Sequence, residues 1–356
     1  MSEADLVVAV LWAAATLYAV FAGADFGAGL WDLLAGDSDD GARARDRIEL
    51  SLAPVWEANH VWLIFCLVVL WTAFSEAFAA VMSTLFVPLS LAALGIVLRG
   101  SGFAFRKLAR REASQRRYEQ LFAVSSILTP FFMGAVVGAV ASGRVPAEGN
   151  GDLFASWTGA TSLVVGALFV ASCAFLAAVF LMADARRAGD DAVAGWFRMR
   201  ALASGVAAGV LAGAGLLVLR ADARALFDGL LDEGLPLAAL FDGLLDEGLP
   251  LVALSVVCGA AALVSLARDA PRAARVLAVG AVATVVWAWG AAQYPYLLPD
   301  SLTVSEAAAP DGTLVALLVV FGAAALFVVP ALVLLLTLHQ RSLLQEGPRG
   351  PEPPER

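Results

Sequence analysis

The sequence predicts an all-α integral membrane protein that crosses the bilayer about nine times. Hydrophobic residues make up 60% of the 356 positions and charged residues 15%, whereas a soluble domain has about 45–50% apolar and about 25% charged residues. The mean hydropathy is +0.81. A soluble core could not bury this much apolar surface, so the excess is expected to face lipid. The net charge of −9 gives no sign of a nucleic-acid partner.

Nine apolar stretches are long enough to cross the hydrocarbon core, which takes roughly 20 residues. The first of them lacks the basic region of a cleaved signal peptide and is expected to be retained. Together they form one polytopic domain over residues 1–340. The predicted spans lie near residues 6–24, 55–73, 77–98, 121–141, 159–182, 200–219, 250–267, 274–292 and 314–338.

The basic residues predict the orientation of these spans. Of the 23 Lys and Arg residues, 20 fall in odd-numbered loops or the C-terminal tail, and only Arg144, Arg220 and Arg224 fall in even-numbered loops. Because Lys and Arg accumulate on the cytoplasmic side, the N-terminus is predicted outside and the C-terminus inside. An odd number of spans is required by this arrangement, which agrees with nine.

Two segments outside the spans stand out. Residues 225–238 and 239–252 are a tandem repeat of 14 residues with 13 identical positions. This repeat lies in an external loop, where a longer loop costs little free energy, and we interpret it as loop expansion. The Pro-rich residues 341–356 are predicted to be a disordered cytoplasmic tail.

The first span ends at an acid, Asp25, within the sequence FAGADFGAGLWD. Ionisable residues inside a membrane are costly and therefore suggest a function, here a place on a proton path. The alternative is an interfacial acid at a helix end with access to water.

The second span opens with APVWEANHVWLIF, which concentrates polar and aromatic groups. Glu57 and His60 are three residues apart and so lie on one helix face, with Asn59 beside them. A carboxylate and an imidazole can both titrate when partly buried, which predicts a proton path at the membrane boundary. The alternative is a hydrogen-bonded structural cluster inside a tryptophan belt formed by Trp56 and Trp62.

Arg99 and Arg106 bracket the sequence GSGFAF after the third span. Both are expected to be positive-inside anchors with a structural or interface role. A contact from either guanidinium to a lipid head group or a carboxylate is a secondary expectation.

The sequence predicts no cofactor bound by this chain alone. Cys66, Cys173 and Cys258 lie far apart in apolar runs, so neither a disulfide nor a zinc site is expected. Haem within a helix bundle needs His, Met or Cys ligands at facing positions. The two histidines, His60 and His339, form no such pair in the predicted spans.

Four stretches resemble subunit II of the cytochrome bd-type quinol oxidases in their order and spacing. The resemblance implies two four-helix bundles plus one peripheral helix, in the cytoplasmic membrane of a bacterium. It also implies a heterodimer with a subunit I that carries haems b and d, or b only, and oxidises quinol with O₂. It leaves room for a small accessory membrane subunit and for a bound quinone or lipid. The resembling stretches are GADFGAGL (23–30), APVWEANHVWLI (53–64), RGSGFAFR (99–106) and QYPYLLPDS (293–301).

The resemblance also carries residue roles. Asp25 matches the acid of the family's Gly-x-Asp-x-Gly element, and Glu57 takes the place of an acid, often Asp, that is implicated in proton supply. The leading hypothesis is therefore the subunit of a quinol oxidase that binds no haem and contributes to a proton path. A proton-coupled secondary transporter and a purely structural membrane subunit are the alternatives.

Overall fold

The computed structural model describes residues 2–36, 38–52, 56–106, 112–224, 226–228 and 249–340. These residues are almost entirely helical, which confirms the predicted all-α class. The helices are α1 (Glu3–Leu34), α2 (Asp39–Leu52), α3 (Trp56–Ala73), α4 (Ser75–Thr84), α5 (Phe86–Arg106), α6 (Glu112–Ala141), α7 (Ala160–Arg187), α8 (Asp191–Asp222), α9 (Leu249–Ala267), α10 (Pro271–Gln293), α11 (Val304–Ala307) and α12 (Asp311–Gln340).

Within the described ranges, seven helices are long and apolar enough to cross a membrane. They are α1, α6, α7, α8, α9, α10 and α12. The bent pair α3–α4 brings the number to eight if it counts as one span, and the apolar stretch Phe86–Gly102 of α5 is shorter. The exact number of nine and the orientation of the termini remain predictions.

The structure differs from the predicted spans in two places. Helix α1 continues past Asp25 to Leu34, and α5 continues past Arg99 to Arg106. Both predicted spans, 6–24 and 77–98, stop at the residue before a charged side chain. In addition, the predicted span 77–98 is divided, because α4 ends at Thr84 and α5 begins at Phe86. Before this span, α3 and α4 meet at Phe74 with a bend of 120°.

Helices α1, α6 and α7 form the centre of the described bundle, and α1 also packs against α3, α10 and α12. Small residues allow these helices to approach closely, as is common in membranes. A side chain at Gly27 of α1 would overlap the backbone carbonyl of Cys173 in α7. The indole of Trp31 donates a hydrogen bond of 2.8 Å to the carbonyl of Ala174, which fixes the same contact. Helix α12 is peripheral, whereas the division into two four-helix bundles remains a prediction.

We call one end of the bundle the basic end, and it comprises α2, the α7–α8 turn and the α9–α10 turn. Ala44 and Ile48 of α2 are buried there in an apolar cluster with α7, α8, α9 and α10. Arg186 of α7 pairs with both Asp191 and Asp269, which joins the two turns. The arginines of the odd-numbered loops therefore also hold helices together at this end.

The opposite end contains a two-stranded hairpin of β1 (Tyr296–Leu298) and β2 (Leu302–Thr303). It accounts for the stretch QYPYLLPDS. The hydroxyl of Tyr294 donates a hydrogen bond of 3.1 Å to Asp5 and ties the end of α10 to the start of α1. Most of the tandem repeat (residues 229–248) and the tail 341–356 lie outside the described residues.

Candidate functional site

A buried ion pair between Asp25 and Arg99 joins α1 to α5, seven residues before the end of α5 at Arg106. The guanidinium Nη2 of Arg99 lies 2.8 Å from Oδ1 of Asp25, and the two side chains are only 3% and 1% exposed. The same Nη2 also donates a hydrogen bond of 2.8 Å to the backbone carbonyl of Asp25. An uncompensated buried charge costs several kcal/mol of stability, so each of these two charges offsets the desolvation cost of the other.

Helix α6 completes the surroundings of Arg99. The Nη1 of Arg99 donates a hydrogen bond to the hydroxyl of Ser126, which in turn donates one of 2.6 Å to the carbonyl of Phe122. The guanidinium carbon lies 4.3 Å from the ring centroid of Phe122 and 5.2 Å from that of Phe26, within the range of cation–π attraction. We call Asp25, Phe26, Arg99, Phe122 and Ser126 the Asp25–Arg99 cluster.

A glycine of α1 makes room for this cluster. A Cβ atom at Gly29 would overlap the hydroxyl of Ser126 and lie 2.7 Å from Nη1 of Arg99. Gly29 is one turn after Asp25, on the same face of the helix. Because Gly29 has no side chain, Arg99 and Ser126 can pack directly against α1.

One oxygen of the buried carboxylate remains open. The Oδ2 of Asp25 accepts no hydrogen bond from the described residues, nor does the hydroxyl of Tyr18 take part in one with them. Tyr18 lies seven residues earlier, on the same face of α1 and about 10 Å along its axis. The carboxylate therefore contacts Arg99 through Oδ1, while Oδ2 makes no hydrogen bond with the described residues.

His60 reaches the cluster through an aromatic ring. It is half-buried in α3, and its imidazole lies edge-on to Phe26 with the ring centroids 6.0 Å apart. Trp62 packs beside it on a buried group of residues that includes Tyr18, Phe26 and Cys173. The structure thus brings the predicted residues Asp25, His60 and Arg99 into one neighbourhood, with Phe26 between them.

The other predicted residues are only partly described. Glu57, Asn59 and Trp56 belong to the first turn of α3, and Arg106 is the last residue of α5. Their side chains lie outside the described part of the chain, so their proposed roles remain predictions. The backbone places Glu57 one helical turn before His60.

Two expectations are corrected by the geometry. Asp25 is not an interfacial acid at a helix end, since it lies nine residues before the end of α1 and is buried. Arg99 lies inside α5 rather than in a loop, and its ion pair with Asp25 is the carboxylate contact that was the secondary expectation for this residue. Ser126 was not identified from the sequence, because no local motif marks it.

The described side chains include no group of three His, Cys, Asp or Glu residues that could hold a metal ion. We therefore assign no cofactor step to the residues of the Asp25–Arg99 cluster. What the cluster offers is one fixed ion pair, one open carboxylate oxygen and a neighbouring imidazole.

A comparison with known families identifies the family of the chain. The family described as cytochrome bd terminal oxidase subunit II matches residues 4–338. The chain belongs to this family. Members of the cytochrome bd family are multi-pass proteins of the bacterial inner membrane, and the many apolar helices of this subunit II chain place it there too.

Individual relatives match over a smaller part. The chain is 26% identical over 144 residues to a protein of Bacillus subtilis (strain 168) that carries the name of a cytochrome bd menaquinol oxidase subunit II, covering 40% of both chains. It is 27% identical over 126 residues to the cytochrome bd-I ubiquinol oxidase subunit 2 of Escherichia coli (strain K12), covering 35% of this chain and 32% of that relative. These matches therefore span about a third to two fifths of the relatives.

A solved structure matches over nearly the whole length. A chain of the bd oxidase from Geobacillus thermodenitrificans superposes with a TM-score of 0.73, covering 95% of this chain and 98% of that one. The sequence identity is 24%, so this similarity establishes the shared fold.

Proposed function

We propose that this chain is the subunit of a quinol:O₂ oxidoreductase that binds no haem, stabilises a haem-bearing subunit I and helps to supply protons for the reduction of O₂ to water. The observation that carries the proposal is the buried Asp25–Arg99 cluster in a member of the subunit II family. Charged side chains in a membrane interior are expensive, and they mark ion or proton pathways far more often than simple scaffolds.

The residues take different parts in this proposal. Glu57, in the first turn of α3, receives protons at the basic end, where a helix N-terminus favours an anion. His60, one turn further along α3, passes them inward, since its imidazole packs against Phe26 of the Asp25–Arg99 cluster. Asp25 provides an open oxygen deeper in the bundle, and Arg99 fixes that carboxylate in place. Asn59 can orient the groups on either side of it.

The partner carries the redox chemistry. Haems b and d, or b only, would belong to subunit I and would move electrons from quinol to O₂. The names of the two relatives specify menaquinol in one case and ubiquinol in the other, so the proposal extends to quinols as a class. A small accessory membrane subunit and a bound quinone or lipid fit the same complex.

Glu57→Gln tests the proton role directly, because it removes the charge and keeps the size of the side chain. In a complex purified through this chain, we expect slower quinol-driven oxygen consumption at unchanged haem content. Glu76→Gln, at an exposed position of α4, is the matched control and should leave turnover unchanged.

The outcomes separate the alternatives. Unchanged turnover of the Glu57→Gln complex would leave this chain with a purely structural role. A preparation with a single subunit and no haem absorbance would contradict the oxidase proposal itself. A proton-coupled transporter, the third hypothesis, is not favoured, since the chain belongs to the oxidase subunit II family over residues 4–338.

A further inference from the structure

A second charged group lies at the end of the bundle opposite the basic end. Asp222, the last residue of α8, accepts hydrogen bonds from both terminal nitrogens of Arg144, at 2.5 Å to Oδ1 and 3.0 Å to Oδ2. Its Oδ2 also accepts from the backbone N–H of Thr161 at 3.1 Å and from the hydroxyl of Thr161 at 2.6 Å. One carboxylate thus joins α8, the α6–α7 connection and the start of α7.

The Asp222 carboxylate caps the N-terminus of α7, which has no capping side chain at its own N-cap position. The N-cap of α7 is Gly159, which has no side chain to accept a bond from the first N–H groups. Those groups need an acceptor, and the helix dipole favours an anion there. Asp222 of another helix provides it. A Cβ atom at Gly159 would overlap the guanidinium of Arg144, so a side chain there would displace Arg144 from its present position.

The tandem repeat begins three residues after Asp222. Leu226, near the start of its first copy, packs in an apolar cluster with Ala288 and Ala292 of α10. Leu251 and Val252, the last residues of its second copy, pack against the same cluster. The beginning and the end of the duplicated segment are therefore held at one place, beside the Asp222 carboxylate.

We propose that Asp222, Arg144 and Thr161 form a clamp that makes the bundle insensitive to the length of the duplicated segment. Because the clamp fixes the end of α8 and the apolar cluster fixes the start of α9, 14 residues between them can be removed or added without moving either helix. The clamp works through a carboxylate bound at a helix N-terminus, so a free carboxylate can take the same place once the side chain is lost. This inference does not depend on the oxidase activity.

The test compares three variants of the full chain, purified with whatever subunits accompany it. Asp222→Ala is expected to lower the melting temperature by about 5 °C, and excess formate should restore most of that loss, whereas formamide should not. Deletion of residues 239–252 leaves one intact copy, with Leu237 and Ala238 in place of Leu251 and Val252. Its melting temperature should stay within about 1 °C of the parent chain. Asp228→Ala, at an exposed acid six residues later, is the matched control.

Three results would overturn the clamp. They are an unchanged melting temperature for Asp222→Ala, a loss that formate does not reduce, and a deletion variant that is destabilised as much as Asp222→Ala. If Asp222→Ala does not accumulate, Asp222→Asn replaces it, since the amide oxygen still accepts from Thr161 while the charge facing Arg144 is lost. Its melting temperature should then lie between those of the parent chain and an Arg144→Ala variant, and a value equal to the parent would equally count against the clamp.

Discussion

The Asp25–Arg99 and Asp222–Arg144 ion pairs use the same two functional groups but leave their carboxylates in different states. The side chains of Asp222 and Arg144 are 22% and 29% exposed. Both carboxylate oxygens of Asp222 accept hydrogen bonds, from Arg144 and from Thr161. The Asp25 pair is almost completely buried, yet Oδ2 of Asp25 accepts nothing from the described residues. The Asp222 carboxylate, with donors on both oxygens, joins three segments of the bundle. The Asp25 carboxylate keeps one oxygen that accepts nothing from the described residues, and this oxygen is the one to which we assign a place on the proposed proton path.

Removing one charge of the buried pair should have the largest effect in the molecule. Arg99→Met leaves the buried Asp25 carboxylate without its cation, and Asp25→Asn leaves the buried guanidinium without its counter-charge. Loss of one partner of a buried pair costs about 3–5 kcal/mol. We expect each variant to assemble poorly, measured as the yield of folded protein and its thermal unfolding in detergent. Arg43→Gln, at a half-exposed arginine of α2, is the control and should behave like the parent chain.

The double variant sharpens this prediction. Asp25→Asn combined with Arg99→Met removes both charges, so it should be more stable than Arg99→Met alone, which is a direct sign of coupling between the two residues. If the effects of the two single substitutions simply add, the pair is not coupled and the assignment is wrong.

A smaller effect is expected at Gly29, which leaves room for the cluster. Gly29→Ala places a methyl group against Ser126 and Arg99, and overpacking of this kind costs about 1–3 kcal/mol. Gly209→Ala of α8 is the matched control, since no atom lies within 4 Å of its Cβ position and alanine favours a helix. Thermal unfolding should therefore separate the two variants. Equal stability of both would mean that Arg99 does not lie against α1.

The smallest effect is expected for the exposed pairs of the basic end. Arg186 joins Asp191 and Asp269 at the basic end of the bundle, and solvent-exposed pairs of this kind contribute about 1 kcal/mol or less. Arg186→Gln should lower the melting temperature slightly in dilute buffer, and the difference should vanish at about 1 M salt, where exposed charges are screened. The effect of Arg99→Met should not depend on salt. A salt-sensitive Arg99→Met variant would show that the buried pair is hydrated.

The sequence was informative about the apolar helices and less so about the charges inside them. Long hydrophobic runs predicted helices near the observed positions of α1, α3, α6, α7, α8, α9, α10 and α12. Two predicted spans stopped just before Asp25 and Arg99, because a charged residue in isolation does not belong in lipid. The two charges neutralise each other across 74 positions, and a window along the chain cannot detect a partner that only folding brings close.

The bend at Phe74 and the role of Ser126 could not be predicted from the sequence for a related reason. Neither Pro nor Gly marks the junction of α3 and α4, and Phe74 itself is fully buried. Ser126 is a small polar residue in an apolar helix, where it commonly bonds its own backbone. Its contact with Arg99 depends on the approach of α5 and α6, and that approach depends on packing rather than on any local motif. Gly29, by contrast, belongs to a glycine-rich stretch already visible beside Asp25.

The kinetics of proton uptake during the reduction of O₂ test the central claim most directly. A pH-sensitive dye in the medium would follow protons entering the complex while the haem absorbance follows electron transfer. Glu57→Gln should slow proton uptake at least about tenfold and leave the first electron-transfer step and the haem content unchanged, and Glu76→Gln should resemble the parent complex. Proton uptake at the parent rate in Glu57→Gln would contradict a proton path through this chain.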